Sequence, residues 1–262
     1  MNDPWRLLNL GVRDQYDSQA LHEVLLIALK RGLIPNTLCF TLSERFLYLG
    51  KDCKIGNANL EYCRKEGIPI VRSPLGSSVA VFDEGCLMHT IVSRSNAIID
   101  TSLDFELLTS CIVKGLNTMG LKTEQRPNSN DIVINHRKIS GSSLNVVNDL
   151  IAFDGTIFVD FDYDFCENAL MPLPEKFVDK KAKSHREWIT TVRAELGKQV
   201  TFSEVVSALR KGFEAVLQVE FEISTSLTEA EEQILKSLRE KYHSEEWIKT
   251  GRWSPVKDYW RL

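Results

Sequence analysis

Apolar positions fall at helical spacing in three stretches of the first half of the chain: Ser18 to Arg31, ending at Gly32; Asn59 to Glu66, closed by Gly67; and Phe105 to Met119, closed by Gly120. Between them lie short runs rich in β-branched and aromatic residues, Thr37–Thr41, Phe46–Leu49, Pro69–Arg72, Val79–Phe82 and His89–Ser93, which predict strands. Ile132, Val133 and Ile134 followed by Asn135-His136 predict a hairpin, its second strand opening over Arg137 to Ser143. Asn145–Ala152 and Thr156–Phe161 continue as two further strands, the second with the alternation of a half-buried one. From Ser203 the pattern turns helical: Ser203, Glu204 and the apolar series Val205, Val206, Leu209 predict a capped helix to about Leu217, and Thr228 with Glu229 and Glu231 caps another. Pro172 and Pro174 flanking Leu173 mark a boundary between Asp164 and Lys180. The expected fold is α/β (α+β), mixed sheets flanked by helices, in one domain over residues 1–262 that is mainly helical from about residue 175.

With 262 residues, 43% of them hydrophobic, the chain can bury one sizeable core. A net charge of −4 and a pI near 5.8 argue against a general nucleic-acid binder. No apolar run is long enough to cross a bilayer, and the start MNDPWRLL lacks a signal pattern, so a cytoplasmic protein with no membrane partner is expected. The six cysteines, Cys39, Cys53, Cys63, Cys86, Cys111 and Cys166, form no CxxC pair and are expected to be reduced, structural thiols.

The densest chemistry lies at Asn130 to Ser143, NDIVINHRKISGSS. It sets Lys138 on a rigid hairpin beside Ser140, Gly141, Ser142 and Ser143, whose N–H groups and hydroxyls suit a phosphate or carboxylate. From the residues alone, a solvated lysine in a surface hairpin is the default. However, KISGSS followed by FDGTIFVDFD (Phe153 to Asp162) resembles the KxSGSA…HGTLLLD signature of lipoate–protein ligase catalytic domains, relatives of the biotin–protein ligases. Gln19 to Glu23 sits where that family has its NLAxEE helix. Leu38 to Gly50 is similar to its paired strands, Asn59 to Cys63 with Gly67 to Arg72 to the helix and strand leading to its pocket loop, and Pro174 to Thr191 and Glu245-Glu246-Trp247 to its later segments.

The resemblance implies a biotin/lipoate-ligase-like fold that activates lipoate (or octanoate) with ATP and Mg²⁺, then transfers the acyl group to a lysine of a lipoyl-domain protein. It implies that Lys138 contacts the acyl carboxylate and the α-phosphate. Asn130 and Asp131 would orient the adenylate, with Asp131 also at the metal. Ser140, Gly141, Ser142, Thr156, Lys183 and Arg186 would contact the adenylate. The family's pocket loop, RRxxGGGAVxHDxGxLN, corresponds to Arg72–Met88, RSPLGSSVAVFDEGCLM. Arg72, Gly76, Asp83, Gly85 and Leu87 survive there. Ser73 replaces the second arginine, Ser77 and Ser78 replace glycines, Phe82 the histidine and Met88 the asparagine, while Asp154 stands where HGT has its histidine. Arg72, Gly76, Ser77, Ser78 and Asp83 remain candidate pocket residues, although positive φ at Ser77 or Ser78 would cost about 1 kcal/mol or more.

Three outcomes stay open: an active ligase with a remodelled pocket, a binding or regulatory paralogue that has lost adenylation, and an octanoyl or lipoyl transferase using a thioester donor. The last needs a cysteine nucleophile. Glu124 to Asn130 contains none, and Cys166 is the candidate downstream, without a basic neighbour in sequence. His89 reads as a structural histidine, and His185 lies in the basic turn KAKSHR. Many members of the family carry a further accessory domain, so a separate accessory subunit is an expected partner. The tail Trp253–Leu262 is expected to pack on the chain or dock that partner.

Overall fold

The computed structural model describes residues 5–76, 78–94, 104–171, 177 and 182–253. Ser77, the Pro172–Pro174 segment and the tail beyond Trp253 lie outside the described residues. Strand β1 (Trp5–Arg13) leads into helix α1 (Gln15–Lys30), followed by β2 (Asn36–Ser43), β3 (Phe46–Leu49), α2 (Leu60–Lys65), β4 (Ile70–Arg72), β5 (Val79–Phe82) and β6 (Cys86–Arg94). Next come α3 (Asp104–Asn117), β7 (Glu124–Gln125), β8 (Asp131–Ile134), β9 (Arg137–Val147), β10 (Leu150–Phe158) and α4 (Tyr163–Ala169). Short helices α5 (His185–Trp188) and α6 (Val192–Leu196) precede α7 (Phe202–Leu217), β11 (Phe221–Ser224), α8 (Glu229–His243) and α9 (Glu245–Thr250).

The strands form an eight-stranded sheet in the order β11-β1-β2-β6-β10-β9-β8-β7 and a three-stranded sheet, β4-β3-β5. The mixed α/β architecture expected from periodicity is present. Successive residues of the central strands face opposite layers, as the two-residue period requires. Leu7, Leu38, Ile91 and Phe153 meet α3 and α7, whereas Leu8, Cys39, Val92 and Ala152 meet α1 and α8. A buried Arg6–Glu231 pair joins β1 to α8, with Arg6 Nη1 3.0 Å from Glu231 Oε2 and Arg6 Nε donating to Thr37 Oγ1 on β2.

Three expectations need correction. Asn145–Ala152 is two strands rather than one: β9 ends at Val147, the chain turns at Asn148 with φ 56°, and β10 begins at Leu150. The chain has left strand geometry after Phe158, where Phe161 N–H donates to the Asp160 side chain instead of a neighbour strand. The cap of α7 is Thr201, which satisfies the Glu204 N–H while the Glu204 carboxylate returns to the Thr201 N–H; Ser203 is already inside the helix. The sequence pattern also left out β1, α4, α5, α6 and β11, and β11 pairs parallel to β1 at the edge of the large sheet.

Helices α3 and α7 touch through Gly115 and Gly212. A Cβ on Gly212 would lie 2.5 Å from Gly115 N and collide with the Cys111 carbonyl oxygen, so backbone atoms would have to part. Gly212→Ala is therefore expected to destabilise the chain by about 1–3 kcal/mol in urea unfolding. An unchanged midpoint would mean that the two helices separate without loss.

Candidate functional site

A cavity of about 520 Å³ is lined by residues of both sheets. The large sheet contributes Met88, Thr90, Lys138, Gly141, Asp154 and Thr156, and the small sheet Tyr48, Val79, Val81 and Phe82. Ser18, Gln19 and His22 of α1 close one part of its wall. Another part is apolar, built from Phe158, Phe161, Cys166, Leu170 and Trp188.

Lys138 owes its place to an irregularity in the hairpin. Asp131 pairs with Gly141 and Ile132 with Ser140, but the next residue, Val133, pairs with Lys138, leaving Ile139 as an extra residue on β9. Such a bulge re-aims side chains. In a regular strand Lys138 and Gly141 would face opposite sides; here both share the face of Asp131. Lys138 Nζ sits 2.6 Å from Asp131 Oδ1, and a Cβ on Gly141 would lie 2.5 Å from that ammonium. The glycine leaves the space the ammonium occupies. The turn that begins the strand has Asn135 at φ 48° and His136 at φ 66°, the left-handed pair expected of a two-residue hairpin.

Several candidates meet around this pair. Asn130, Asp131, Lys138, Gly141, Ser142, Thr156, Gly76 and Ser78 all line the cavity. Asn130 holds Ser142 from both sides, its carbonyl accepting from Ser142 N–H at 3.1 Å and its amide donating to Ser142 O at 2.7 Å. Ser140 does not join them. It shares the face of Ile132, and its hydroxyl is fully buried without a hydrogen-bond partner among the described residues.

The pocket loop divides likewise. Gly76 carries the left-handed φ of +70°, and Tyr48, whose hydroxyl donates to Leu75 O at 2.8 Å, holds the turn. Ser78 is not among the residues with positive φ and Ser77 lies outside the described residues; Gly76, which adopts positive φ without a Cβ penalty, takes that conformation here. Burial pushes the Tyr48 phenol up to about 12. Phe82 stacks on Phe46 with centroids 5.0 Å apart, giving this wall an aromatic face. Arg72, by contrast, turns away from the cavity. Its guanidinium donates to Gly50 O at 2.7 Å, Lys51 O at 2.9 Å and Cys53 O at 3.0 Å, and to Ile248 O in α9 at 2.8 Å. Asp83 is consumed by its own turn, accepting from Gly85 N at 2.8 Å and Asp162 N at 2.6 Å. Lys183 and Arg186 are exposed outside the cavity, Arg186 paired with Asp164 and lying over the Tyr163 ring. From that basic turn it is His185 that lines the cavity.

Sequence reasoning left out a second polar cluster. Asp154 Oδ2 lies 2.7 Å from His22 Nδ1, and Asp154 Oδ1 accepts from Thr90 Oγ1 at 2.6 Å. The only signal for it in the sequence was the aspartate standing at the histidine of HGT. On the other face of the sheet, a Cβ on Gly155 would lie 2.5 Å from Ser142 Oγ and 2.6 Å from His89 Nε2, so the missing side chain makes room for both. His89 packs its ring on Phe153, neither ring nitrogen has a partner among the described residues, and burial lowers its pKa to about 4, with Asp154 acting in the opposite direction.

His89 therefore stays neutral in the folded chain while the unfolded chain takes up a proton below about pH 6.5. Stability is expected to fall by roughly 3 kcal/mol between pH 6.5 and 4 and then to level off. The test is urea unfolding across that range for wild type and His89→Leu. A slope that persists unchanged in the variant would assign the acid sensitivity elsewhere.

Residues 14–214 match the family described as lipoyl protein ligase A/B catalytic domain. The octanoyltransferase LipM of Clostridioides difficile is 25% identical over 267 residues, spanning 94% of this chain and 98% of that protein. A structure of an archaeal lipoylation system, a bi-partite lipoate protein ligase and its E2 lipoyl domain from Thermoplasma acidophilum, superposes with a TM-score of 0.82 at 27% identity, covering 97% of this chain and 99% of the other. A lipoate-protein ligase A bound with ATP superposes at 0.80 and 25% identity, covering 94% and 99%. A family match over most of the chain, together with the same fold in the solved relatives, places this chain in the lipoyl protein ligase A/B catalytic-domain family.

Proposed function

We propose that the chain is the catalytic subunit of a cytoplasmic lipoate–protein ligase, a single catalytic unit that forms lipoyl-AMP from lipoate and ATP and passes the lipoyl group to a lysine of a lipoyl-domain protein. The observation that carries this reading is the Lys138 ammonium, held 2.6 Å from Asp131 against a glycine at the wall of the cavity. Attack of a carboxylate on the α-phosphate brings two anions together, and a fixed cation offsets the charge that builds between them. Asn130 and the backbone at Gly141 and Ser142 flank that cation, and Gly76 and Ser78 border the same space from the small sheet. The apolar wall of Phe158, Phe161, Leu170 and Trp188 suits an aliphatic acyl chain such as lipoate or octanoate.

Among the described residues no cluster of three or more His, Cys, Asp or Glu side chains forms a metal site. Asp131 with phosphate oxygens and waters is a donor set that Mg²⁺ accepts. The relative solved with ATP supports the nucleotide, and the bi-partite relative with its E2 lipoyl domain supports both the acceptor and a separate accessory subunit.

A thioester-using octanoyl transferase is the second reading. It draws on the LipM likeness and on Cys166, which lines the apolar wall. An assay with ATP, Mg²⁺, lipoate and a lipoyl domain, run with and without a candidate accessory subunit, separates the two. Wild type is expected to modify the acceptor only when ATP is present, and Lys138→Ala to lose at least about a hundredfold in rate. ATP-independent modification from an octanoyl-carrier thioester, lost in Cys166→Ala, would establish the transferase. Acceptor binding without modification under either regime would favour the regulatory paralogue.

Gly141→Ala places a methyl group where the Lys138 ammonium lies. It is expected to reduce kcat/KM by about tenfold or more while the fold is kept, because a flexible side-chain end can move aside where backbone cannot. Equal activity would show that Lys138 acts from another position.

A further inference from the structure

His22 is 4% exposed and lines the cavity, yet its Nε2 has no hydrogen-bond partner among the described residues. Its other nitrogen is committed. Asp154 Oδ2 holds Nδ1 at 2.7 Å, and Asp154 is itself fixed by Thr90 Oγ1 at 2.6 Å. A carboxylate that already accepts from a hydroxyl keeps the imidazole proton on Nδ1 and leaves the Nε2 lone pair as an acceptor. An orphaned buried acceptor is costly, and a costly group held by a supporting chain of hydrogen bonds points to a ligand or a reaction.

Its place on the sheet says which. Asp154, Thr156, Gly141, Asp131 and Lys138 share one face, with Thr156 opposite Gly141 and Gly141 opposite Asp131. Asp154 precedes Thr156 by two residues, so the His22–Asp154 pair stands about 7 Å along the strand from the row that carries Lys138. One group pairs an ammonium with a carboxylate and suits anions. The other offers an imidazole nitrogen a short distance away in the same cavity.

We propose that His22 is a further catalytic residue, the general base of the transfer step, and this rests on the ligase reading above. The acceptor lysine enters as a neutral amine, and its nitrogen attacks the acyl carbon of lipoyl-AMP. The bond between that carbon and the phosphate oxygen breaks and AMP leaves with the electron pair. The proton shed by the nitrogen passes to His22 Nε2, and Asp154 balances the imidazolium that forms. His89, which packs on the opposite face against Phe153, has no carboxylate to orient it and takes no part.

The two half-reactions can be read separately: lipoyl-AMP formation from ATP and lipoate, and transfer from chemically made lipoyl-AMP to a lipoyl domain. In His22→Gln, transfer is expected to fall by about a hundredfold, and by at least tenfold more than lipoyl-AMP formation. The acid limb of the transfer pH profile should flatten. The ionisable groups nearby are Asp154 on β10, Glu23 on α1, His89 on β6, Cys39 on β2, Tyr48 on β3 and Tyr242 on α8; burial raises the pKa of Cys39, Tyr48 and Tyr242 and lowers that of His89 to about 4, so none of those four sets an acid limb near neutral pH. Asp154→Asn, which keeps the shape and loses the orienting charge, should show the same selective loss and serves if His22→Gln does not fold. Transfer at the wild-type rate, or an equal fall in both half-reactions with an unaltered pH profile, would overturn the proposal. A wild-type chain that neither makes nor consumes lipoyl-AMP would overturn the ligase reading instead.

Discussion

One extra residue in β9 sets the chemistry of this cavity. Ile139 has no counterpart on β8, so the strand is out of phase on either side of it. The face that would carry Lys138 in a regular ladder belongs to the core, where Ile132 and Ile139 lie among the residues packed by α3 and α7. A lysine there would bury an unpaired charge at a cost no ordinary core could absorb. The bulge turns it instead to the side of Asp131 and Gly141. Ser140, on the other side of the bulge, keeps the core face opposite Ile132. Two residues that a regular strand would place on one face are thus separated by register rather than by residue type.

The walls opposite depend on contacts made far along the chain. Arg72 sits at the end of β4, where its guanidinium gathers carbonyls from the 50–53 loop and from α9, and Trp247 of α9 returns an indole N–H to Arg72 O at 3.0 Å. Ser73, Leu75, Gly76 and Ser78, which follow, leave this anchor to border the cavity. Tyr48 fixes the other side of the loop at Leu75, and Gly76 permits the turn between. The small sheet is therefore held at both edges of the loop it offers to the cavity. Arginine at this position works through five fixed donors, which a lysine would not reproduce.

How much of this was legible in the sequence follows from how local each signal is. The hairpin around Lys138 was readable because strand, turn and strand lie within a dozen residues and the turn residues have a known preference for positive φ. Helices α1, α3 and α8 were readable from apolar spacing and from Gly or Thr punctuation. Strand β1 was not, since a parallel strand buried between helical layers reads as a mixed run instead of an alternation, and its partner β11 is four residues long. Arg72 and Asp83 were chosen by chemical type, but direction decides their role, and direction is set by α9 and by the Asp162 backbone, 176 and 79 residues away. His22 lies on a helix face that looks like core by periodicity, and its partner Asp154 is 132 residues distant.

The cavity also carries a thermodynamic cost that a ligand can offset. Elsewhere buried charge is matched: Arg6 with Glu231, Lys241 and Tyr242 with Glu23. Around the cavity, Ser18 Oγ and His22 Nε2 are buried without partners among the described residues, as are Ser140 Oγ and both His89 nitrogens on the core face of the sheet. Each such group lowers stability by about 1–3 kcal/mol relative to a satisfied one. The two at the cavity are a sizeable part of the margin of a typical domain, about 5–15 kcal/mol. A ligand that satisfies them recovers that loss on binding, and it stabilises the fold by mass action at the same time. Ser18 and His22 border the same space as Lys138, so this part of the cost lies where a ligand can offset it.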